Sequence, residues 1–400
     1  MHHFSTSFNI DQPTHLLYQP ALNRHYPNIV EIGDPWQRYG SGIGRGTSAT
    51  RCALGEFYER RHFYMEVATS GMARIEDTLT PQETDDFTKA FKQTKNATQS
   101  DLSITTHHFR KTTALRLIDY SECEIPTVCL SINPTGLNID NNFFPVRDTC
   151  GCSFHWDLET VITGALKESL ERQFLLRYWL TKEITRQHNI SLCKALLTGS
   201  PAAPLLDALL AEGSISVFDI TDSAYPGHCA LMLYGAEHTT QHVHYCAGMG
   251  YGSDVGSAIE KAALELWQTF RFIRDFHLTA RCIEDIEDPY LLHFMLCNKF
   301  TTYLEATSGN TIATSLPTPP PRPLSLETLR KNIIQNNLDG FLYLQQKTSE
   351  KTIYFYCKYI SPRIFMHMNN ATSINLHNAY SGTFSSKINP NRSKTMVPFP

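Results

Sequence analysis

Ala53-Leu54-Gly55-Glu56-Phe57-Tyr58-Glu59-Arg60 is the stretch from which the fold can be read, because its pattern returns twice. It recurs as Ala165-Leu166-Lys167-Glu168-Ser169-Leu170-Glu171-Arg172 and, more loosely, as Ala262-Ala263-Leu264-Glu265-Leu266-Trp267-Gln268. In each copy a Gly-containing stretch leads into a helical pattern, an Ala stands three residues before a Glu, and a second polar group follows three residues after it. Positions three apart share a helix face. Two helices therefore each present a pair of carboxylates, and a third presents a carboxylate and a carboxamide.

Carboxylates gathered in a protein interior repel one another, so they take up protons or find a cation. Mg²⁺ prefers oxygen ligands and binds through a few carboxylates together with substrate phosphates. Arg60 and Arg172, one residue beyond each pair, suit phosphate oxygens because the guanidinium is a planar fork of donors. A single E-x-x-E-R is commonplace on solvated helix faces, where Glu56 and Arg60 would be an ordinary i,i+4 pair. Three copies with one Ala offset argue against that reading. A carboxylate-bridged di-iron site wants Glu-x-x-His on two helices; Glu59-x-x-His62 has that spacing, but no His stands three residues after a Glu in the second and third copies.

Gly44-Arg45-Gly46 leading into Glu56-x-x-Glu59-Arg60, followed by Glu168-x-x-Glu171-Arg172 and Glu265-x-x-Gln268, resembles the YcaO family of ATP-dependent enzymes that activate backbone amides. Arg147-Asp148-Thr149-Cys150-Gly151-Cys152-Ser153-Phe154-His155, His367-Met368-Asn369-Asn370 and the closing Met396-Val397-Pro398-Phe399-Pro400 are similar to the cyclodehydratase subunit of microcin B type synthetases. The chain departs from the family pattern in three places. Arg45 stands where members commonly carry Lys, Ser41 fits a conserved Ser only with a one-residue offset, and Ala53 replaces the Ser that often begins the first Glu motif.

The resemblance implies the YcaO fold, an α/β (α+β) architecture of mixed sheets with nucleotide held between the Glu-bearing helices. It implies Mg²⁺ on Glu56, Glu59, Glu168 and Glu171, and ATP contacts from Arg45, Arg60, Arg172 and Gln268, with Glu265 in support. The tail residues Pro398 and Pro400 take a catalytic role by the same resemblance, the Pro400 carboxylate orienting or deprotonating the attacking groups. The implied reaction turns Cys or Ser residues of a ribosomally made precursor peptide into thiazolines or oxazolines. Implied partners are a leader-peptide-binding scaffold and an FMN-dependent azoline dehydrogenase, the FMN residing on that partner. Two other readings stay open: another amide activation such as thioamidation, and a non-catalytic subunit that binds ATP only for docking.

Composition fits a folded enzyme. Of 400 residues, 42 % are apolar, enough for a sizeable core, and 18 % are charged, too few for a disordered chain. A formal net charge of −4 without a basic run excludes the usual nucleic-acid footprint. No apolar run reaches the roughly 20 residues that span a bilayer. Eleven cysteines at irregular spacing, with no signal-peptide pattern at the N-terminus, point to reduced thiols in the cytoplasm. Cys150 and Cys152 form too thin a motif for zinc.

Residues 1–34 read as an irregular arm, and residues 35–400 as one catalytic domain. Within that domain lie a Pro-rich connector at 316–323 and a C-terminal subregion at 324–400. Tyr39 to Ser48 reads as a glycine-rich loop that offers amides to an anion, with Thr47 or Ser48 capping the next helix. Residues 75–100 read as a solvated helix. Strands are expected at Thr113–Ile118, Pro126–Ile132, Ile215–Ile220, Ala230–Tyr234 and Val243–Ala247. Helices are expected at Asp157–Leu180, Ser257–Phe272 and Leu326–Leu338, and a hairpin at Phe341–Leu344 and Ile353–Tyr359. His155, His228 and His293 are left out of the chemistry, and the last twenty residues carry no regular pattern.

Overall fold

The computed structural model describes residues 4–5, 15–19, 25–34, 39–96, 103–182, 185–279, 282–309, 311–314, 323–349 and 352–399. Residues 316–322 of the connector expected at 316–323, and Pro400, lie outside them.

The chain opens with β1 (Phe4–Ser5), β2 (His15–Gln19), β3 (Asn28–Gly33) and β4 (Tyr39–Gly44), an antiparallel sheet in that order, followed by α1 (Thr47–Met65). Residues expected to form an irregular arm thus supply strands of this sheet. Next come β5 (Gly71–Ala73), α2 (Pro81–Thr94), β6 (Phe109–Arg116), β7 (Glu122–Pro126), β8 (Cys152–His155) and α3 (Leu158–Thr181). The middle of the chain holds β9 (Thr185–His188), α4 (Ile190–Leu196), α5 (Ala203–Glu212), β10 (Ser214–Asp219), β11 (His228–Gly235), β12 (Tyr245–Gly252) and α6 (Val255–Leu278). The remainder is α7 (Pro289–Leu296), α8 (Phe300–Thr307), β13 (Thr311–Thr314), α9 (Leu326–Gln335), β14 (Phe341–Ser349), β15 (Thr352–Ile360) and α10 (Ala379–Gly382).

A six-stranded sheet runs β5-β6-β14-β15-β8 with β7 paired to β6, and a five-stranded sheet runs β12-β11-β10-β9-β13. The β13–β9 pair is parallel and the other pairs are antiparallel, giving the mixed α/β class expected. Helix α3 packs against β8 and β15 of one sheet and against β11 and β12 of the other. Its buried stripe, including Val161, Ala165, Leu166, Leu170 and Phe174, joins the core around β11 and β12.

Several local expectations change. Pro126 ends β7, because proline offers no donor to continue the ladder, and Thr127–Cys129 turn as a 3₁₀ segment instead of extending the strand. Helix α2 is not a purely solvated helix, since Phe87, Ala90, Phe91 and Thr94 form a buried stripe. Thr80 caps it and its amide bonds back to Glu83, a box that fixes the helix start. The last residues are ordered by the core: Val397 and Phe399 are each 2 % exposed.

Tyr39–Gly44 is a strand, not a loop, and its glycines serve close packing. A Cβ on Gly40 would lie 2.4 Å from the Ala53 carbonyl oxygen, and one on Gly42 2.1 Å from that of Ala49. β12 repeats the device against α6, where a Cβ on Gly248 would meet the Ala262 carbonyl oxygen at 2.3 Å. Only glycine permits such contact. Helix α1 begins at the N-cap Gly46, without a side-chain cap; the Ser48 hydroxyl donates to the Arg45 carbonyl instead.

Candidate nucleotide and metal site

The two glycine strands place the first glutamate of the motif on each flanking helix. The Ser41 amide donates to Glu56 Oε2 at 2.7 Å, and the Met249 amide donates to Glu265 Oε2 at 2.9 Å. Backbone amides expected to face an anion therefore hold carboxylates of the protein itself. Arg60 pairs with Glu56 at 2.5 Å through one terminal nitrogen, donates to the Tyr39 carbonyl at 3.4 Å through the other, and stays half-exposed. Arg45 is exposed and donates to the His25 carbonyl at 3.0 Å, tying the end of the hairpin to the segment before β3.

Helix α3 supplies the centre. Asp157 caps it through the Thr160 amide at 2.8 Å, and its Glu168 and Glu171 face different neighbours. Toward α1, the carboxyl of Glu59 is pushed well above the ordinary range, first by burial and then by the charges of Glu168 and Glu56. Burial likewise lifts Glu168 to about 7, with Glu171 and Asp148 adding to the rise and Arg172 opposing it. Glu168 Oε2 is buried without a hydrogen-bond partner, while its other oxygen lies 3.6 Å from the Arg172 guanidinium.

Toward α6, Glu171 is tied to Lys261 Nζ at 3.0 Å. Burial, the largest influence, raises its carboxyl, but Lys261 and Arg172 together hold it below the ordinary value. Glu265 is raised by burial and by Glu171, against the pull of Lys261 and Arg172. Gln268 follows on α6, half-buried. Glu59, Glu168, Glu171 and Glu265, of which Glu171 is buried and the other three half-buried, thus form one electrostatically linked series across three helices.

Among the described residues no three His, Cys, Asp or Glu side chains converge closely enough to hold a metal ion by themselves. The donor set nonetheless fits Mg²⁺ bound with phosphate. It is all oxygen, it is crowded with like charge, and it includes an orphaned buried carboxylate oxygen; Mg²⁺ completes its shell with phosphates and water. Cys150 and Cys152 are buried thiols whose deprotonation burial strongly disfavours. His293 is a packing neighbour of Cys297, its Nε2 3.4 Å from Sγ.

Three contributors escape the motif reading. Lys261 sits four residues before Glu265 on the same helix face, so its place was legible from spacing. Lys358 on β15 is buried and donates to the Asp148 carbonyl at 3.1 Å, and its charge opposes the rise of Glu59. The contacts of the C-terminal tail are the third, for the resemblance singled out Pro398 and Pro400 but not what holds them or what Phe399 touches. The Tyr245 hydroxyl donates to the Pro398 carbonyl at 2.7 Å, and the Phe399 ring centre lies 5.8 Å from the Arg172 guanidinium carbon. No local signal marks Lys358 or the tail contacts, because each partner lies far away in sequence. Pro398 reaches the vicinity of the site as a buried, carbonyl-anchored residue, and Pro400 lies outside the described residues.

With this geometry in hand, the chain can be set beside known proteins. The family model described as YcaO cyclodehydratase, ATP- and Mg²⁺-binding, matches residues 41–364. The chain is 34 % identical over 393 residues to the microcin B17-processing protein McbD of Escherichia coli, covering 97 % of each. It superposes with a TM-score of 0.89 and 32 % identity on a chain of the E. coli microcin synthetase McbBCD complex with pro-MccB17 bound, covering 100 % of both chains. The YcaO protein of Methanopyrus kandleri, solved with AMPPCP and Mg²⁺, shares the fold at a TM-score of 0.51 and 14 % identity, over 91 % of this chain and 85 % of that one.

Proposed function

The chain belongs to the YcaO family of ATP- and Mg²⁺-binding cyclodehydratases, and we propose that it is the ring-forming subunit of a microcin-type synthetase. Its substrate is a ribosomally made precursor peptide, whose Cys and Ser residues it converts to thiazolines and oxazolines. The observation that carries this reading is the full-length likeness to the McbBCD chain, joined to a linked carboxylate series suited to Mg²⁺ and phosphate.

In the proposed reaction the substrate thiol or hydroxyl attacks the carbonyl carbon of the preceding residue and gives up its proton. The former amide oxygen takes the γ-phosphoryl group of ATP, leaving ADP. The C–O bond then breaks, phosphate departs, and the amide nitrogen loses its proton as the ring C=N bond forms. Such chemistry asks for positioning and charge neutralisation rather than for a protein nucleophile.

Glu56, Glu59, Glu168 and Glu171 would hold Mg²⁺, which when bound neutralises charge on the phosphate oxygens. Arg45, Arg60, Arg172 and Gln268 are assigned to the nucleotide. Glu265, pinned by the Met249 amide and facing Lys261, keeps the α6 side of the cleft in place. Lys261 keeps Glu171 ionised and oriented. The segment Met396–Phe399 lies beside Arg172 through the Phe399 ring, and Pro398 and Pro400 are assigned to the reacting end of the peptide.

The proposed partners are a leader-binding scaffold, an FMN-dependent dehydrogenase that oxidises azolines, and the precursor, all cytoplasmic. No helix among the described residues is long and apolar enough to cross a membrane. Reconstitution with scaffold, precursor, ATP and Mg²⁺ tests the proposal. Each ring should remove the mass of one water while one ATP is hydrolysed. An oxygen-to-sulfur mass change would establish thioamidation instead, and peptide-independent or absent hydrolysis would reduce the chain to a docking subunit.

A further inference from the structure

The Arg172 guanidinium lies in an unusual setting for a residue that must aim its donors. Its ion pair with Glu168 is 3.6 Å, longer than a hydrogen bond, and less than a fifth of the side chain is exposed. The aromatic face recorded against it belongs to Phe399, at 5.8 Å from ring centre to guanidinium carbon. A guanidinium over an aromatic face is held by the ring quadrupole while its in-plane N–H groups stay available to a ligand.

A residue so near a chain end can direct another only if it is itself fixed, and Phe399 is. It is 2 % exposed, and its amide donates to the Val397 carbonyl at 2.9 Å. On one side of it the Pro398 carbonyl is held by Tyr245, and further back the Val397 amide is held by Asn370 Oδ1 at 2.8 Å. Trp179 Nε1 donates to the Thr395 carbonyl at 2.8 Å, and Arg392 lies 3.7 Å over the Trp179 ring. Trp179 and Arg172 lie on one face of α3, seven residues apart, so one helix both anchors the tail and carries the side chain that the tail backs.

We infer that Phe399 is a positioning residue for Arg172: its ring backs the guanidinium, so the nucleotide cleft is complete only when the tail is seated. The inference rests on the assignment of Arg172 to the nucleotide. It gives the tail a role in ATP affinity, separate from any part played by Pro398 or Pro400 at the reacting peptide.

The test is calorimetric titration of the full-length chain with Mg²⁺ and a non-hydrolysable ATP analogue. Phe399→Leu keeps apolar volume and removes the π face, and should weaken binding about fivefold; Phe399→Tyr should restore it. Arg172→Ala should weaken binding at least as much, and Arg172→Ala with Phe399→Leu should be no weaker than Arg172→Ala alone. Should the leucine variant not fold, Phe399→Met is read in the same way. Wild-type affinity in Phe399→Leu, or effects that multiply in the double variant, overturns the inference while leaving Arg172 at the nucleotide. Wild-type affinity in Arg172→Ala overturns both.

Discussion

Lys261 on α6 and Glu171 on α3 meet at 3.0 Å, and this ion pair joins the two helices that flank the cleft. Glu171 is almost fully buried whereas Lys261 is half-exposed, so the partner left behind by Lys261→Met is a buried carboxylate. We expect Lys261→Met to cost about 1–2 kcal/mol, below the figure for a fully buried pair because water screens the ammonium. The Glu171 carboxyl is held below its ordinary value. Its contribution is therefore present above about pH 4.3 and is lost as pH falls through the lower folded value. Urea unfolding should show the full gap between wild type and variant at pH 7 and a narrowed gap at pH 3. Equal gaps would contradict the pairing.

Glu168 carries the opposite sign. Its carboxyl is raised to about 7, so the free folded protein keeps a proton that the unfolded chain releases above about pH 4.3. This contribution to stability is fully present below that pH and is lost as pH rises through 7. A cation bound at Glu168, as proposed, would take the place of the proton. Mg²⁺-dependent nucleotide affinity should rise between pH 6 and 8, with proton release at pH 6.5, and Glu168→Gln should flatten the rise. Calorimetry in two buffers of different ionisation enthalpy measures the release directly, and its absence would remove Glu168 from the cation site.

The glycine strands give a third prediction, on stability. Gly42→Ala and Gly250→Ala would each push a Cβ to within 2.1 Å and 2.4 Å of a helix carbonyl oxygen, Ala49 and Ala258 respectively. Neither backbone can yield locally, so each change should cost about 3 kcal/mol or more. Gly71 has open space around its Cβ position, and Gly71→Ala should be nearly neutral. Thermal unfolding ranks the three, and a Gly42→Ala protein as stable as Gly71→Ala would refute the packing account.

Tyr245→Phe deletes one buried hydroxyl and leaves the Pro398 carbonyl without its donor, at a cost of about 1–2 kcal/mol. The loss should appear locally before it appears globally. Hydrogen exchange at residues 395–399 should quicken while exchange in β10 to β12 stays unchanged. Uniform quickening across the chain would mean that Tyr245 supports the whole core and not the tail in particular.

Much of the site could be read from spacing, for a physical reason. Helical pairs three residues apart announce a shared face, so Glu56 with Glu59, Glu168 with Glu171, and Glu265 with Gln268 were legible as units. The neighbours of each unit were not. That Glu59 feels Glu168, and Glu171 feels Glu265, depends on how α3 sits between two sheets. Glycine misled the reading of Tyr39–Gly44, because the residue that permits a turn also permits a helix to approach a strand. The tail misled it too, since a polar segment with a few apolar side chains has no period even when Val397 and Phe399 are buried.

The paired glycine strands also bear on how this protein can change. Every single-base substitution that converts a glycine codon to another amino acid installs at least a Cβ. At Gly40, Gly42, Gly248 and Gly250 that atom would fall within 2.4 Å of backbone in the following helix. The genetic code therefore offers these four positions no tolerable first step. Lineages of this protein can vary at its surface, while the strands beneath Glu56 and Glu265 remain fixed in their heredity.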